Sequence, residues 1–167
     1  SPRHPPARSY PLTCGHWFAA AEPPDGRLTF SFGDVAGAGL HSSVPFGRLR
    51  QAIFTLAFKF GDPAVILKES DRILSHQEPD TMVTAVVGFI DESRTMMSYA
   101  NAGHPPPLVA YRSDEPAAMR PFGGVPLGIG SDYDFETFDV PIRPDTVVAM
   151  YTDGMVEFLG DLDAAEA

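Results

Sequence analysis

Cysteine is nearly missing from this chain: Cys14 stands alone among 167 residues. An internal disulfide is therefore excluded, and the usage suits a reducing cytoplasm. Long apolar runs are missing too. Nothing approaches the ~20 residues needed to cross a bilayer, and no signal-peptide pattern opens the chain, so a cytoplasmic location with no membrane partner is expected. Basic charge is scarce, with 12 Lys and Arg against 22 Asp and Glu for a formal net charge of −10. That balance argues against a nucleic-acid backbone or an anionic membrane surface as main partner, and it is compatible with cation binding.

What is present reads as one ordinary globular domain. Hydrophobic residues make up 44% of the chain, enough for a core at this length. Residues 1–12 open with "SPRHPPARSYP", whose prolines suit a lead-in or linker, leaving 13–167 as the domain proper. "TCGHWFAAA" (Thr13–Ala21) has strand character and is closed by the turn signal "PPDG". "RLTFSFGD" follows, with Leu28, Phe30, Phe32 and Asp34 on one face at period two. A helix is predicted from Leu40 to about Phe60, where Phe46, Leu49, Ile53, Leu56 and Phe60 recur at three- and four-residue spacing and Pro45 falls in the first turn. A second helix starts at "GDPAVIL", with Asp62 as N-cap and Pro63 at its first position. The second half carries strands: "MVTAVVGFID" and "TMMSYANAG" as a hairpin, then "PPLVAYR", "YDFETFDV" and "TVVAMYTDG". Strands, two successive helices and a long antiparallel meander predict an α+β fold, sheet packed on sheet with the helix pair over an outer face.

Two acidic positions share one context. Asp34 in "GDVAG" and Asp153 in "TDGM" each close a hydrophobic strand beside glycine. A desolvated carboxylate there is costly unless something positive meets it, and two of them at one sheet edge would repel without a cation between them. All-oxygen ligation favours Mg²⁺ or Mn²⁺. Asp-Gly is also a common turn pair, so the two positions taken alone leave a structural role open. "GAGLHS" loosely imitates a dinucleotide-binding turn, but Ser42 occupies its third glycine position and a second helix follows where a parallel strand belongs.

Five strings occur in order: "GDVAGAGL" (33–40), "DTMVTAVVGFID" (80–91), "YANAGHPPPLV" (99–109), "GVPLGI" (124–129) and "YTDGMVE" (151–157). Together they resemble the successive motifs of the SpoIIE/RsbU-type serine phosphatases, the bacterial branch of the metal-dependent, protein phosphatase 2C-like family. The resemblance implies a β-sandwich of two antiparallel sheets flanked by helices. It also implies two Mn²⁺ or Mg²⁺ ions activating a water against a phosphoserine or phosphothreonine. Carried onto this chain, Asp34 would bridge the ions, the Val35 carbonyl would be a further ligand, and Asp153 would hold one ion. Gly37, Asn101, Gly103 and His104 fall in hallmark segments that shape the site or meet substrate. His41 and His76 read as surface or packing residues.

The pattern also departs from the family. Where relatives carry Gly-Asp-x-Tyr-Asp on the first strand, this chain has "GHWFA", with His16 at the first acidic position and Ala19 at the second. His16 can offer a neutral nitrogen to a metal but no charge. A later Asp-Asp motif followed by a strand is expected in relatives, and Asp161 and Asp163 come too early to supply it, so the domain is expected to be C-terminally incomplete. Three functions follow. One is a phosphatase acting on an anti-sigma-factor antagonist under an upstream sensor domain. Another is a degenerate phosphatase that binds a phosphoprotein or regulator without turnover. The third is a scaffold that homodimerises through the helix pair, the surface relatives use. The reduced ligand set predicts one weakly held metal ion or none.

Overall fold

The computed structural model describes residues 16–23, 25–35, 43–111, 117–118, 124–129 and 133–151. Eight strands and two helices lie in that range: β1 (His16–Ala21), β2 (Leu28–Val35), α1 (Ser43–Lys59), α2 (Pro63–Gln77), β3 (Val83–Ile90), β4 (Met96–Ala102), β5 (Leu108–Tyr111), β6 (Ala117–Ala118), β7 (Phe138–Pro141) and β8 (Thr146–Ala149). All pairings are antiparallel. The first sheet runs β1-β2-β3-β4-β7 and the second β6-β5-β8. The α+β sandwich expected from the sequence is what forms.

The predicted meander needs correction. After β4 the chain crosses to the second sheet for β5, returns to the first for β7 and crosses again for β8. The two halves of "PPLVAYR…TVVAMY" therefore pair with each other, Leu108 opposite Ala149 and Tyr111 opposite Thr146, while β5 also pairs with β6 on its other edge. The strand expected over "YDFETFDV" starts only at Phe138, and the last strand ends at Ala149, short of the expected Asp153.

Two apolar layers explain why the central strands bury both faces. Leu49, Ile53 and Ala57 of α1 and Ile66, Leu67 and Leu74 of α2 pack on Val83, Ala85, Val87 and Phe89 of β3. The alternate residues of the same strands turn the other way, where Phe30, Val86, Met97 and Tyr99 meet Val109 and Val148 of the second sheet. Side-chain alternation thus assigns Phe30, Phe32 and Asp34 to the inter-sheet face, as period two predicts. The start of α2 also follows the sequence, while α1 begins at Ser43 and the expected start at Leu40 lies outside the described residues. Asp62 caps α2 by accepting from the Ala64 N–H at 3.0 Å, with Pro63 in the first turn, where its missing N–H costs nothing.

Candidate functional site

The site grows from one end of β2. Gly33 and Asp34 precede the last strand residue, Val35, which is buried beneath the helices. Gly33 is required by close approach. A Cβ there would come within 2.2 Å of the Trp17 ring and 2.5 Å of the Thr84 carbonyl oxygen. The indole fills that space and donates from Nε1 to Ser31 Oγ at 2.9 Å, locking β1 onto β2. The lock fixes the register that matters: His16 lies directly opposite Asp34 on one side, and Thr84 lies opposite it on the other.

Cross-strand partners share a face, so His16, Asp34 and Thr84 form one row on the side turned toward the second sheet. His16 Nδ1 is 3.0 Å from Asp34 Oδ1. The imidazole donates and the carboxylate accepts, and the contact becomes an ion pair when the ring is protonated. Asp34 keeps a quarter of its side chain exposed, so a ligand can reach it from solvent.

The hallmark segment after β4 meets this row from the other direction. Asn101 Oδ1 accepts from the His104 N–H at 2.8 Å, and Asn101 Nδ2 donates to the His104 carbonyl at 2.7 Å. Between them Gly103 takes φ +66°, with Pro126 pressed against the position a Cβ would occupy. Only glycine suits that combination. The clamp delivers the His104 ring, almost wholly buried, to Thr84 Oγ1 at 2.8 Å and to the Tyr151 carbonyl at 3.2 Å. The Phe32 ring stands edge-on to it at 5.0 Å.

Of the residues singled out from the sequence, the fold brings His16, Asp34, Asn101, Gly103 and His104 to one end of the sandwich, with Val35 beside Asp34 on the opposite face. Gly37, His41 and Asp153 lie outside the described residues, as do the 1–12 lead-in, Asp161 and Asp163. His76 is exposed, as expected. Thr84 and Tyr151 were not singled out by sequence reasoning. Thr84 sits inside "DTMVTAVVGFID", where period two sets it on the face opposite Val83 and Ala85, but only the register reveals that it faces Asp34.

The family model described as Stage II sporulation protein E (SpoIIE) matches residues 24–166. The chain belongs to the SpoIIE family. Among curated relatives, the phosphoserine phosphatase RsbU of Bacillus subtilis (strain 168) is 24% identical over 131 residues, which are 78% of this chain and 39% of RsbU. The chain therefore spans about two-fifths of that relative's length. The RsbU and RsbW domains of Rv1364c from Mycobacterium tuberculosis superpose with a TM-score of 0.77 at 28% identity, covering 87% of this chain and 40% of the other. RsbX in complex with magnesium shares the fold at 18% identity and a TM-score of 0.69, over 84% of this chain and 67% of that one. These are relatives and neighbours of a SpoIIE phosphatase domain, and its protein phosphatase 2C-like α+β fold is the one found here.

Proposed function

We propose that this SpoIIE domain is a Mn²⁺- or Mg²⁺-dependent phosphoserine/phosphothreonine protein phosphatase of bacterial partner switching. Its substrate would be a phosphorylated anti-sigma-factor antagonist. The observation that carries this reading is the position of Asp34: a partly exposed carboxylate at the end of a rigid central strand, aimed into the inter-sheet space, in the motif the family uses to bridge metal ions. The phosphatase names of the relatives and the magnesium complex of RsbX support the class of chemistry.

The donors present fit a reduced centre. Asp34 offers a hard anionic oxygen, and the Val35 carbonyl and Asp153 are the further ligands proposed for a divalent cation. The position opposite Asp34 holds His16, whose nitrogen is already engaged with Asp34 Oδ1. Among the described residues no group of three His, Cys, Asp or Glu side chains is gathered closely enough to hold a metal ion. One cation held through Asp34 and Asp153 suits this set better than a symmetric pair. A bound cation would lower the pKa of a coordinated water and neutralise charge on the phosphoryl group. Asp34 would fix that cation at the sheet edge. His16 would steady Asp34, holding a proton at Nδ1 against Oδ1.

The same His16–Asp34 contact favours a second reading, a degenerate phosphatase that grips its phosphoprotein or a regulator without turning it over. Hydrolysis of p-nitrophenyl phosphate across a Mn²⁺ titration separates the two. The phosphatase reading expects metal-dependent turnover that falls by about 100-fold or more in Asp34→Asn, the scale of losing a main electrostatic group. Turnover indifferent to that substitution would refute the assignment of Asp34, and no turnover at any Mn²⁺ concentration would leave the binding module.

A further inference from the structure

The His104 ring spans the two sheets. It follows β4 by two residues, where the chain leaves the first sheet for β5 in the second. Nδ1 reaches Thr84 Oγ1 on β3 of the first sheet, and Nε2 reaches the carbonyl of Tyr151, just beyond β8 of the second. A carbonyl oxygen can only accept, so Nε2 carries the hydrogen, and in the neutral ring Nδ1 then accepts from the Thr84 hydroxyl. The backbone of His104 is held separately, at both its N–H and its carbonyl, by Asn101. A side chain 2% exposed, bonded at both ring nitrogens and clamped at its main chain, has little freedom left.

Its two partners share a location. Thr84 is the cross-strand neighbour of Asp34. Tyr151 follows the last residue of β8 by two positions. The ring therefore joins the strand end beside Asp34 to the end of β8, and it does so across the gap between sheets. A planar ring carrying a donor and an acceptor on fixed vectors defines that gap more tightly than a flexible chain would.

We propose that His104, in its Nε2–H tautomer, is a positioning residue that sets the separation between Asp34 on the first sheet and the Tyr151 backbone at the end of the second. It rests on the reading of Asp34 as part of the site, and it assigns His104 no role in moving protons.

Three measurements on the whole chain test it. The ¹⁵N ring shifts of His104, assigned by their loss in His104→Gln, should show a protonated, pyrrole-type Nε2 and a pyridine-type Nδ1. An Nδ1–H tautomer overturns the proposal. Thr84→Val, the variant to use if His104→Phe does not fold, should shift the Tyr151 carbonyl ¹³C resonance from across the sandwich. A Tyr151 carbonyl unmoved by Thr84→Val also overturns it. In Mn²⁺-dependent hydrolysis of p-nitrophenyl phosphate, His104→Phe should lower kcat by about 100-fold, the cost of a misplacement near 1 Å, with KM nearly unchanged. His104→Gln, which keeps a donor and an acceptor in one planar group, should recover part of that loss. Turnover unaffected by either Thr84→Val or His104→Phe refutes the strut and leaves the phosphatase reading standing. A parent chain with no turnover refutes the phosphatase reading, while the two resonance measurements still decide the strut.

Discussion

Asp34 and Asp91 are carboxylates at opposite ends of the same sheet, and their surroundings differ in kind. Asp91 closes the β3–β4 hairpin within its own turn. It accepts from the Ser93 hydroxyl, from the Met96 N–H at 2.8 Å, and from the hydroxyl and N–H of Thr95 at 2.9 and 2.7 Å. The Ser93 hydroxyl first, then the Met96 N–H, with smaller help from Thr95, hold its carboxyl far below the usual carboxylate range. Asp34 instead meets an imidazole from the next strand, across a register set by the fold. A carboxylate saturated by its own loop is a structural part. One presented by two neighbouring strands is available to a ligand.

Four substitutions break or sharpen that contrast. The largest difference is expected between Asp34→Asn and Asp91→Asn in Mn²⁺-dependent hydrolysis: a loss of about 100-fold for the first, against a change within about twofold for the second, which is remote from the site. Equal losses would remove the distinction. Next comes Gly33→Ala, whose methyl would drive into the Trp17 ring and the immovable Thr84 carbonyl. Urea unfolding should show a loss of about 1–3 kcal/mol from overpacking, and wild-type stability would mean that the β1–β2 register is looser than described.

His16→Asp sets a second carboxylate directly opposite Asp34. Two facing carboxylates repel without a cation and bind one together, so Mn²⁺ affinity by calorimetry should rise by about tenfold while metal-free stability falls. Unchanged affinity would mean that the acid at this position is not what limits binding. The smallest effect is confined to acid. The depressed pKa of Asp91 contributes stability above the unfolded carboxylate range, and that contribution is lost as pH falls from about 4 toward its folded value. Asp91→Asn should flatten the stability profile in that window and leave neutral-pH Mn²⁺ binding alone. A profile that keeps its slope would assign the acid sensitivity to other carboxylates.

Local signals were legible wherever the physics is local. The Asp62 cap with Pro63, the stripe of Leu49, Ile53 and Leu56, the β3–β4 hairpin and the inter-sheet face of Phe30, Phe32 and Asp34 all follow from spacing and turn chemistry within a few residues. The strand ends were less legible. Residues 133–137 carry an alternating pattern like a strand, yet pairing with β4 begins only at Phe138, opposite Tyr99. Lys68 on α2 binds Asp134, and Thr137 turns its hydroxyl to Asp62, so this stretch is drawn to the helix rather than to a ladder. No window of sequence contains that competition.

The candidate site divides the same way. The sequence by itself determined that Asp34 would stand at a strand end beside glycine and that Asn101, Gly103 and His104 would build a turn, because each depends on residue type and near neighbours. Only the tertiary structure decided that His16 faces Asp34, that Thr84 completes their row, and that one buried imidazole joins the two sheets. Those contacts join residues 18, 20, 47 and 50 positions apart. Register and sheet packing are settled by the sum of many pairings and by the burial of both faces of the central strands, and no single segment carries that sum.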